Sequence, residues 1–497
     1  MLKAIFFPDS FTVFFWGIVF LLMETATAIH ILYNKREEHV SAVFWLLVVY
    51  SFPIAGIIFY VLFGINRVFT EGKKIKTASI KFREEKTRQM HNAFRRHLKI
   101  QKTHLLVENI GWDYPDYLKM FDRLLPQTLP LKGNKIELLI DGTRAYPKML
   151  EEIEKAQNSI HLQSFIIMDD PIGRTIFDAL YRKSKEGVKV KVIYDRFGSL
   201  RAGSKLFQMQ NENFRARPFS IINLSRPFAI QLRNHRKLLV IDGKRAFIGG
   251  INISSENDIK FSSKDKYIHD LHCFIEGPAV GDFQYSFLND WHYVSKEDFS
   301  VFLSEDFFPE LDECGDSVIR VVPSGPGQCD NGTEKAFTVA AFTAKRSLWI
   351  MTPYFVPDIP YWKMLCAISA KGVDVRIIIP HKNNHWYVQF ATENLFPVLL
   401  DVGIRIFLKK GPFSHAKATL IDNSWAIMGS SNFDVRSFKL NYELDFVATS
   451  GDFINVLHGQ FLQEIEDSDE VLATDVIKRK FSKEMLCRVC SLFTPVL

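Results

Sequence analysis

One pattern of residues occurs twice in this chain, and that duplication restricts the fold more than any other feature. The first copy reads His235-x-Lys237-x4-Asp242, followed by Gly249, Gly250 and Asn252. The second reads His415-x-Lys417-x4-Asp422, followed by Gly429, Ser430 and Asn432. Flanking stretches match as well. Asn158-Ser159-Ile160 corresponds to Arg346-Ser347-Leu348, and Lys185-Glu186-Gly187-Val188-Lys189-Val190 to Ala370-Lys371-Gly372-Val373-Asp374-Val375. The offsets between copies run 188, 185 and 180 residues, so the second copy is slightly shorter. Internal self-similarity of this kind means one structural unit used twice. In each copy a helical stretch (174–186, 360–371) leads through Gly187 or Gly372 into a short β-branched run, Lys189–Tyr194 or Val375–Ile379. That alternation is the α/β signature. The predicted fold class is therefore α/β, with two pseudo-symmetric lobes packed about a pseudo-twofold axis.

The spacing has a chemical reading. Residues i and i+2 of a strand face the same side, so each His and Lys point together. The apolar runs Leu238–Ile241 and Ala418–Ile421 support strands, which Asp242-Gly243 and Asp422-Asn423 end. Small residues at 249–250 and 429–430 let the backbone approach a ligand closely. Asn252, Ser430 and Asn432 add neutral donors. If the copies face each other, two imidazoles, two ammonium groups and several amide donors surround one anion, and the site reads as a phosphate site. No His/Asp/Glu cluster has metal-ligand spacing, so neither metal nor cofactor is expected. The six Cys are too few and too scattered for a disulfide scaffold, and Cys487-x-x-Cys490 lacks the second pair a zinc site needs.

Residues 11–33 and 40–63 are apolar runs, and about 20 such residues cross a bilayer as a helix. The second run carries no charge, whereas the first holds Glu24 and His30, which are costly at membrane depth. A cleaved signal peptide fits the first run poorly: Glu24 and Thr25 stand where small residues belong, and a second run follows. A transmembrane helical hairpin turning through Asn34–His39 is expected. Residues 67–102 then hold 12 Lys and Arg against 3 Glu, a net 12 − 3 = +9, which leaves 6 − 9 = −3 for the rest of the chain. Such an excess normally stays cytoplasmic, and it attracts anionic headgroups. A solvated helix serving only as a topology signal would read the same. The 44 Phe fit lipid contact and a bulky core equally. The predicted organisation is 1–66 (two transmembrane helices), 67–125 (basic juxtamembrane segment), 126–310 and 311–480 (the two lobes), and 481–497 (C-terminal tail). Within the tail, Met485–Leu497 reads equally as a shallow lipid contact or a buried docking helix.

The repeated H-x-K-x4-D pattern resembles the phospholipase D superfamily, and with the N-terminal hairpin the chain is similar to bacterial cardiolipin synthases. Thr352–Asp358, Val322–Pro326 and Asn432–Ser437 with Asn441-Tyr442-Glu443 carry the same resemblance. Gly250 departs from it, because the first motif often has a small hydroxyl residue there. The resemblance implies two phospholipase D-like lobes behind the hairpin and a two-step transfer through a phosphohistidine. His235 would be the nucleophile and His415 the general acid and base; sequence symmetry alone would not choose between them. The residue chemistry fits, since covalent catalysis splits a hard displacement in two, with proton transfer from the second histidine. Lys237 and Lys417 offset charge on the phosphoryl oxygens. Asp242 and Asp422 belong to the motif but read as structural.

Each histidine also needs a carboxylate to fix its tautomer. Asp270 and Glu443 open strands at matching places, and the expectation sets Asp270 behind His235 and Glu443 behind His415. The implied reaction joins two phosphatidylglycerol molecules into cardiolipin and glycerol. Hydrolysis or transfer to another alcohol is the runner-up. A nucleic-acid phosphodiesterase is disfavoured by the hairpin, and a catalytically dead scaffold by the intact motifs. The implied setting is a bacterial inner membrane, multi-pass, with the catalytic lobes cytoplasmic, anionic phospholipid as partner and no nucleic acid. Oligomeric state and acyl-chain preference stay open.

Overall fold

The structure is a computed structural model that describes residues 10–35, 39–61, 115–199, 207–219, 232–302, 307–325, 331–449 and 451–492. The basic stretch 67–102 lies outside these residues. The chain divides into two units, Met1–Glu71 and Gly72–Leu497.

In the first unit one helix runs Ser10–Asn34, and its Phe14–Asn34 portion is long and apolar enough to cross a membrane. The second apolar run departs from the expected single span. It forms a 13-residue helix, His39–Ser51, and a short helix, Pro53–Phe59, separated at Phe52. The cause is local. A residue before proline is driven out of the helical region, and Phe52 sits at φ −134°, ψ 76°. Gly56 then lies so close to Val48 that a Cβ on it would stand 2.3 Å from the Val48 carbonyl oxygen. The short helix therefore folds back on its predecessor. His30 Nδ1 and Tyr60 Oη meet at 2.9 Å, beside a small core of Ile31, Ala42 and Val49.

The second unit holds two lobes of equivalent construction. Lobe 1 contributes β1 (Leu131–Ile140), β2 (Ser159–Ser164), β3 (Lys189–Tyr194), β4 (Phe214–Pro218), β5 (Leu238–Ile241), β6 (Arg245–Gly249), β7 (Ile268–His269) and β8 (Leu271–Glu276). Lobe 2 contributes β9 (Ser317–Ser324), β10 (Ser347–Met351), β11 (Phe355–Val356), β12 (Asp374–Pro380), β13 (Arg405–Lys409) and β14 (Phe413–Ser414). It continues with β15 (Ala418–Ile421), β16 (Trp425–Gly429), β17 (Phe433–Asp434), β18 (Glu443–Thr449) and β19 (Ser468–Glu470).

Fifteen of these strands form one sheet, joined in its middle by antiparallel β1 and β9. Outward from that seam, lobe 1 runs β1-β8-β6-β5-β2-β3-β4 and lobe 2 runs β9-β18-β16-β15-β10-β12-β13. Each strand of the first series has a counterpart in the second, so the pseudo-twofold passes between β1 and β9. In both series three outer strands are parallel and the inner ones antiparallel. Parallel neighbours need crossover connections, and the helices Pro171–Lys185 and Ile359–Ala370 supply them. The hairpins β5–β6 and β15–β16 turn through Asp242-Gly243 and Asp422-Asn423, all four at positive φ. That conformation matches the twist of the flanking strands.

Each lobe has its own apolar core, one around Leu162, Phe177, Val192 and Phe247, the other around Leu348, Ile377, Trp425 and Val447. The helix Asp116–Leu124 departs from the expected organisation. It precedes lobe 1 in the chain, yet Phe121 is buried in the lobe 2 core and Tyr117 stacks on Trp425 at 4.7 Å between ring centroids. Arg320 of β9 holds Asp122 of the same helix.

Candidate active site

The two histidines come together by an exchange between lobes. The segment before β5 and the segment before β15 each run alongside a strand start of the opposite lobe. Asn234 bridges to Tyr442 in parallel, and β14 pairs with β7 through Ser414 and His269. The His235 backbone N–H donates to the Tyr442 carbonyl at 2.9 Å, and the His415 N–H to the His269 carbonyl at 2.7 Å. The residues that follow those carbonyls are Glu443 and Asp270. His235 Nδ1 meets Glu443 Oε2 at 3.0 Å, and His415 Nδ1 meets Asp270 Oδ2 at 2.7 Å. This corrects the expected pairing: each carboxylate supports the histidine of the other lobe. Engaged through Nδ1, each ring keeps Nε2 for chemistry.

Both lysines are buried beside their histidines. Lys237 Nζ donates to the His235 carbonyl at 2.6 Å, Lys417 Nζ donates to the His415 carbonyl, and Lys417 Nζ also lies 2.9 Å from His415 Nδ1. Desolvation pulls Lys237 down to about 7 and Lys417 to about 8. It also pulls His415 down to about 3, with Lys417 adding to the effect against the attraction of Asp270. His235 is likewise lowered, by desolvation first, with Glu443 opposing. For Asp270 and Glu443 desolvation acts upward, but the neighbouring Lys and His groups outweigh it, and both end below the ordinary carboxylate range. With both imidazoles neutral, two ammonium groups balance two carboxylates at pH values below those of the lysines.

Two stretches of the chain match the family described as "Cardiolipin synthase, PLD-like domain", residues 149–291 and 341–465. Residues 25–64 match "Phospholipase_D-nuclease N-terminal". A cardiolipin synthase of Clostridium perfringens is 32% identical over 470 residues, covering 91% of this chain and 93% of that protein. The probable cardiolipin synthase YwiE of Bacillus subtilis is 29% identical, covering 99% and 96%. The chain belongs to the phospholipase D-type cardiolipin synthase family. Among solved structures, phosphatidylserine synthase of Haemophilus influenzae has the same fold, with a TM-score of 0.60 at 15% identity, covering 77% of this chain and all of that one.

The other motif residues of this cardiolipin synthase-family chain take separate places. Asp242 and Asp422 stand away from the histidines, seven residues further along the chain, past the far ends of the four-residue strands β5 and β15, each ~13 Å long. Asp242 accepts from the backbone N–H groups of Gln157, Asn158 and Ser159, and Asp422 from those of Lys345, Arg346 and Ser347. They fix the heads of β2 and β10 and touch no reacting group. Ser430, expected on phosphate, gives its hydroxyl to Glu443 at 2.5 Å and accepts from the Leu444 N–H. Asn252 is tied by its Oδ1 to the Ile166 N–H at 3.1 Å. Asn432 alone of the three keeps a buried side-chain oxygen, Oδ1, with no partner among the described residues.

Several supports were not legible as such. Ser437 Oγ and Asn441 Nδ2 donate to Glu443 Oε1 at 2.8 and 3.2 Å. Ser437 is held there because Asp434 caps the helix Val435–Lys439 through the Ser437 N–H. Both residues lie in the stretch that carries the family resemblance, which was the available signal. Behind His415, His269 is clamped between Asp141 and Glu464, each at 2.8 Å. Desolvation opposes its protonation, yet the two carboxylates raise it to about 10. Asp141 also accepts the Asp270 N–H at 2.8 Å and so holds the carboxylate behind His415.

Arg236, between His235 and Lys237, faces the opposite side. It pairs with buried Asp290 at 2.7 Å and donates to the Glu443 and Ser324 carbonyls, stapling lobe 1 to lobe 2. Removing one partner of such a pair costs about 3–5 kcal/mol. Gly250, the departure from the family pattern, also has a structural reason. A Cβ there would stand 2.1 Å from Asp270 Oδ1. Lobe 1 carries the shorter carboxylate and leaves no room for the hydroxyl that Ser430 supplies in lobe 2.

Proposed function

We propose that this enzyme transfers a phosphatidyl group from one phosphatidylglycerol to another, releasing glycerol. The observation that carries the reading is the cross-lobe arrangement of two neutral, Nδ1-anchored imidazoles over two buried lysines. In the first step His235 Nε2 attacks phosphorus and the bond to the glycerol oxygen breaks. His415 gives its Nε2 proton to that oxygen, and glycerol leaves. In the second step His415 takes the proton from a terminal hydroxyl of the second phosphatidylglycerol. Its oxygen attacks phosphorus, the P–N bond breaks, and cardiolipin forms. Burial keeps His415 neutral in the free site, so the proton it donates enters with the phosphodiester anion, whose charge favours the imidazolium. Lys237 and Lys417 stand to meet the phosphoryl oxygens. Purified protein given phosphatidylglycerol alone should release glycerol and cardiolipin in equal amounts, read by mass spectrometry. Phosphatidic acid as the main product would make it a hydrolase instead.

The buried lysines give this site a pH signature. Anion binding favours the charged ammonium, so each lysine's pKa is higher in the complex than in the free site. Affinity is then full below the free values of about 7 and 8 and is lost as pH rises through them. KM for a dispersed short-chain phosphatidylglycerol should therefore climb on the alkaline side. A KM indifferent to pH across that range would remove the lysines as charged phosphate ligands.

The helix Ser10–Asn34 supports membrane attachment, and the charge of residues 67–102 supports cytoplasmic placement of the lobes whatever path the second apolar segment takes. A reporter fused after Leu497 tests the side. Activity confined to the external face would reverse the assignment.

A further inference from the structure

The last described helix, Phe481–Ser491, has two apolar faces. One face carries Cys487 and Cys490, both buried, and the helix packs along Trp386–Glu393. Lys483 and Arg479 brace the junction by reaching Glu393. On the face turned away, Phe481, Met485, Val489 and Leu492 follow one another at helical spacing. All four are exposed, Phe481 at 77% and Leu492 at 76%, and Ile477, at the end of the preceding short helix Ala473–Ile477, reaches 82%. The exposed cations Lys478 and Lys480 border this strip, as does Arg488, which pairs with Glu484 at 2.5 Å, so the border keeps a net positive charge. An apolar strip bordered by basic residues is the composition of a helix that lies in a lipid interface.

A series of ring contacts leads from this surface to His415. Trp386, 61% exposed, begins the helix against which the last helix packs. Its neighbour His385 stands 5.8 Å from the Tyr354 ring, and Tyr354 stands 6.1 Å from the His415 ring. Tryptophan and tyrosine favour the zone where headgroups meet acyl chains. We propose that the strip from Ile477 to Leu492, with Trp386, seats the catalytic unit on an anionic lipid surface, with the path to His415 opening beside it.

This deepens the phosphatidyl-transfer reading and rests on it. Charge complementarity selects the occupant, because the basic border attracts anionic headgroups. A second copy docked through the same face would oppose two patches of the same net positive charge, since an isologous contact repeats one patch on both partners.

The test uses the full-length chain with Phe481→Asp and Val489→Asp together, at two exposed positions. Two substrates are compared: vesicles of equal parts phosphatidylglycerol and phosphatidylcholine, and dispersed short-chain phosphatidylglycerol. Turnover on vesicles should fall roughly tenfold or more while turnover on the dispersed lipid stays at the wild-type level. Equal turnover on vesicles would overturn the docking assignment. Equal loss on both substrates would also overturn it, by showing that the strip serves folding. So would conversion of a dimer to a monomer with vesicle turnover intact. A second measurement does not depend on catalysis. Vesicles with brominated acyl chains should quench wild-type fluorescence more than that of Trp386→Phe, and equal quenching would overturn the proposal. If wild type forms no cardiolipin from either substrate, the transfer reading fails while the quenching still decides the docking.

Discussion

His235→Ala is expected to lower phosphatidyl transfer by on the order of 10³-fold or more, as loss of a nucleophile does where catalytic groups act as a unit. The structure makes the assignment specific to one nitrogen. Glu443 engages His235 Nδ1 at 3.0 Å, so Nε2 is the atom left to attack phosphorus. Glu443 itself is fixed by Ser430, Ser437 and Asn441. An imidazole held in this way does not have to be reoriented during the reaction. Incubating the enzyme with labelled phosphatidylglycerol and quenching at alkaline pH should trap an acid-labile phosphoramidate on the peptide containing His235. Label on the peptide containing His415 would exchange the two roles. Absence of label on both, under conditions where turnover is seen, would replace the covalent route by direct transfer between lipids.

How far the sequence carries depends on which interactions are local. The lobes were legible because alternation of helix and strand and the repeat of residues 234–252 at 414–432 depend on neighbours along the chain. The exchange of carboxylates was not legible. Counting forward from each motif puts Asp270 after His235 and Glu443 after His415, and nothing in either stretch states which strand start it will lie beside. That is decided by the β1–β9 seam, which turns one lobe over against the other. Asp242 illustrates the opposite case. Its place next to a glycine after an apolar run announces a turn, and it serves as one, with its carboxylate on the backbone of residues 157–159. Length and absence of charge, the features that mark the second apolar run, are blind to the backbone effect of Pro53 on Phe52. Nothing local ties the helix Asp116–Leu124 to lobe 2, because its partner, Trp425, lies some three hundred residues further along.

The cross-lobe pairing leads to the most discriminating expectation. Glu443→Gln should cost on the order of 10³–10⁴-fold in turnover, the scale seen when the acid behind a catalytic histidine becomes an amide. The amide has one acceptor oxygen where the carboxylate serves His235, Ser430, Ser437 and Asn441. Its NH₂ group would also face a ring nitrogen or a hydroxyl with the wrong polarity. Asp270→Asn should be similarly damaging, but at a different stage, because Asp270 supports His415. A donor with a nitrophenolate leaving group separates the stages, since that group departs without a proton and the first displacement then needs only the nucleophile. With this donor, Asp270→Asn should still release about one equivalent of nitrophenolate per site in a rapid burst and then stall, because the acceptor hydroxyl has no competent base. Glu443→Gln should show no burst, because the nucleophile itself is misoriented. A burst in Glu443→Gln that is absent from Asp270→Asn would return each carboxylate to the histidine of its own lobe, and with it the order of events at the two imidazoles.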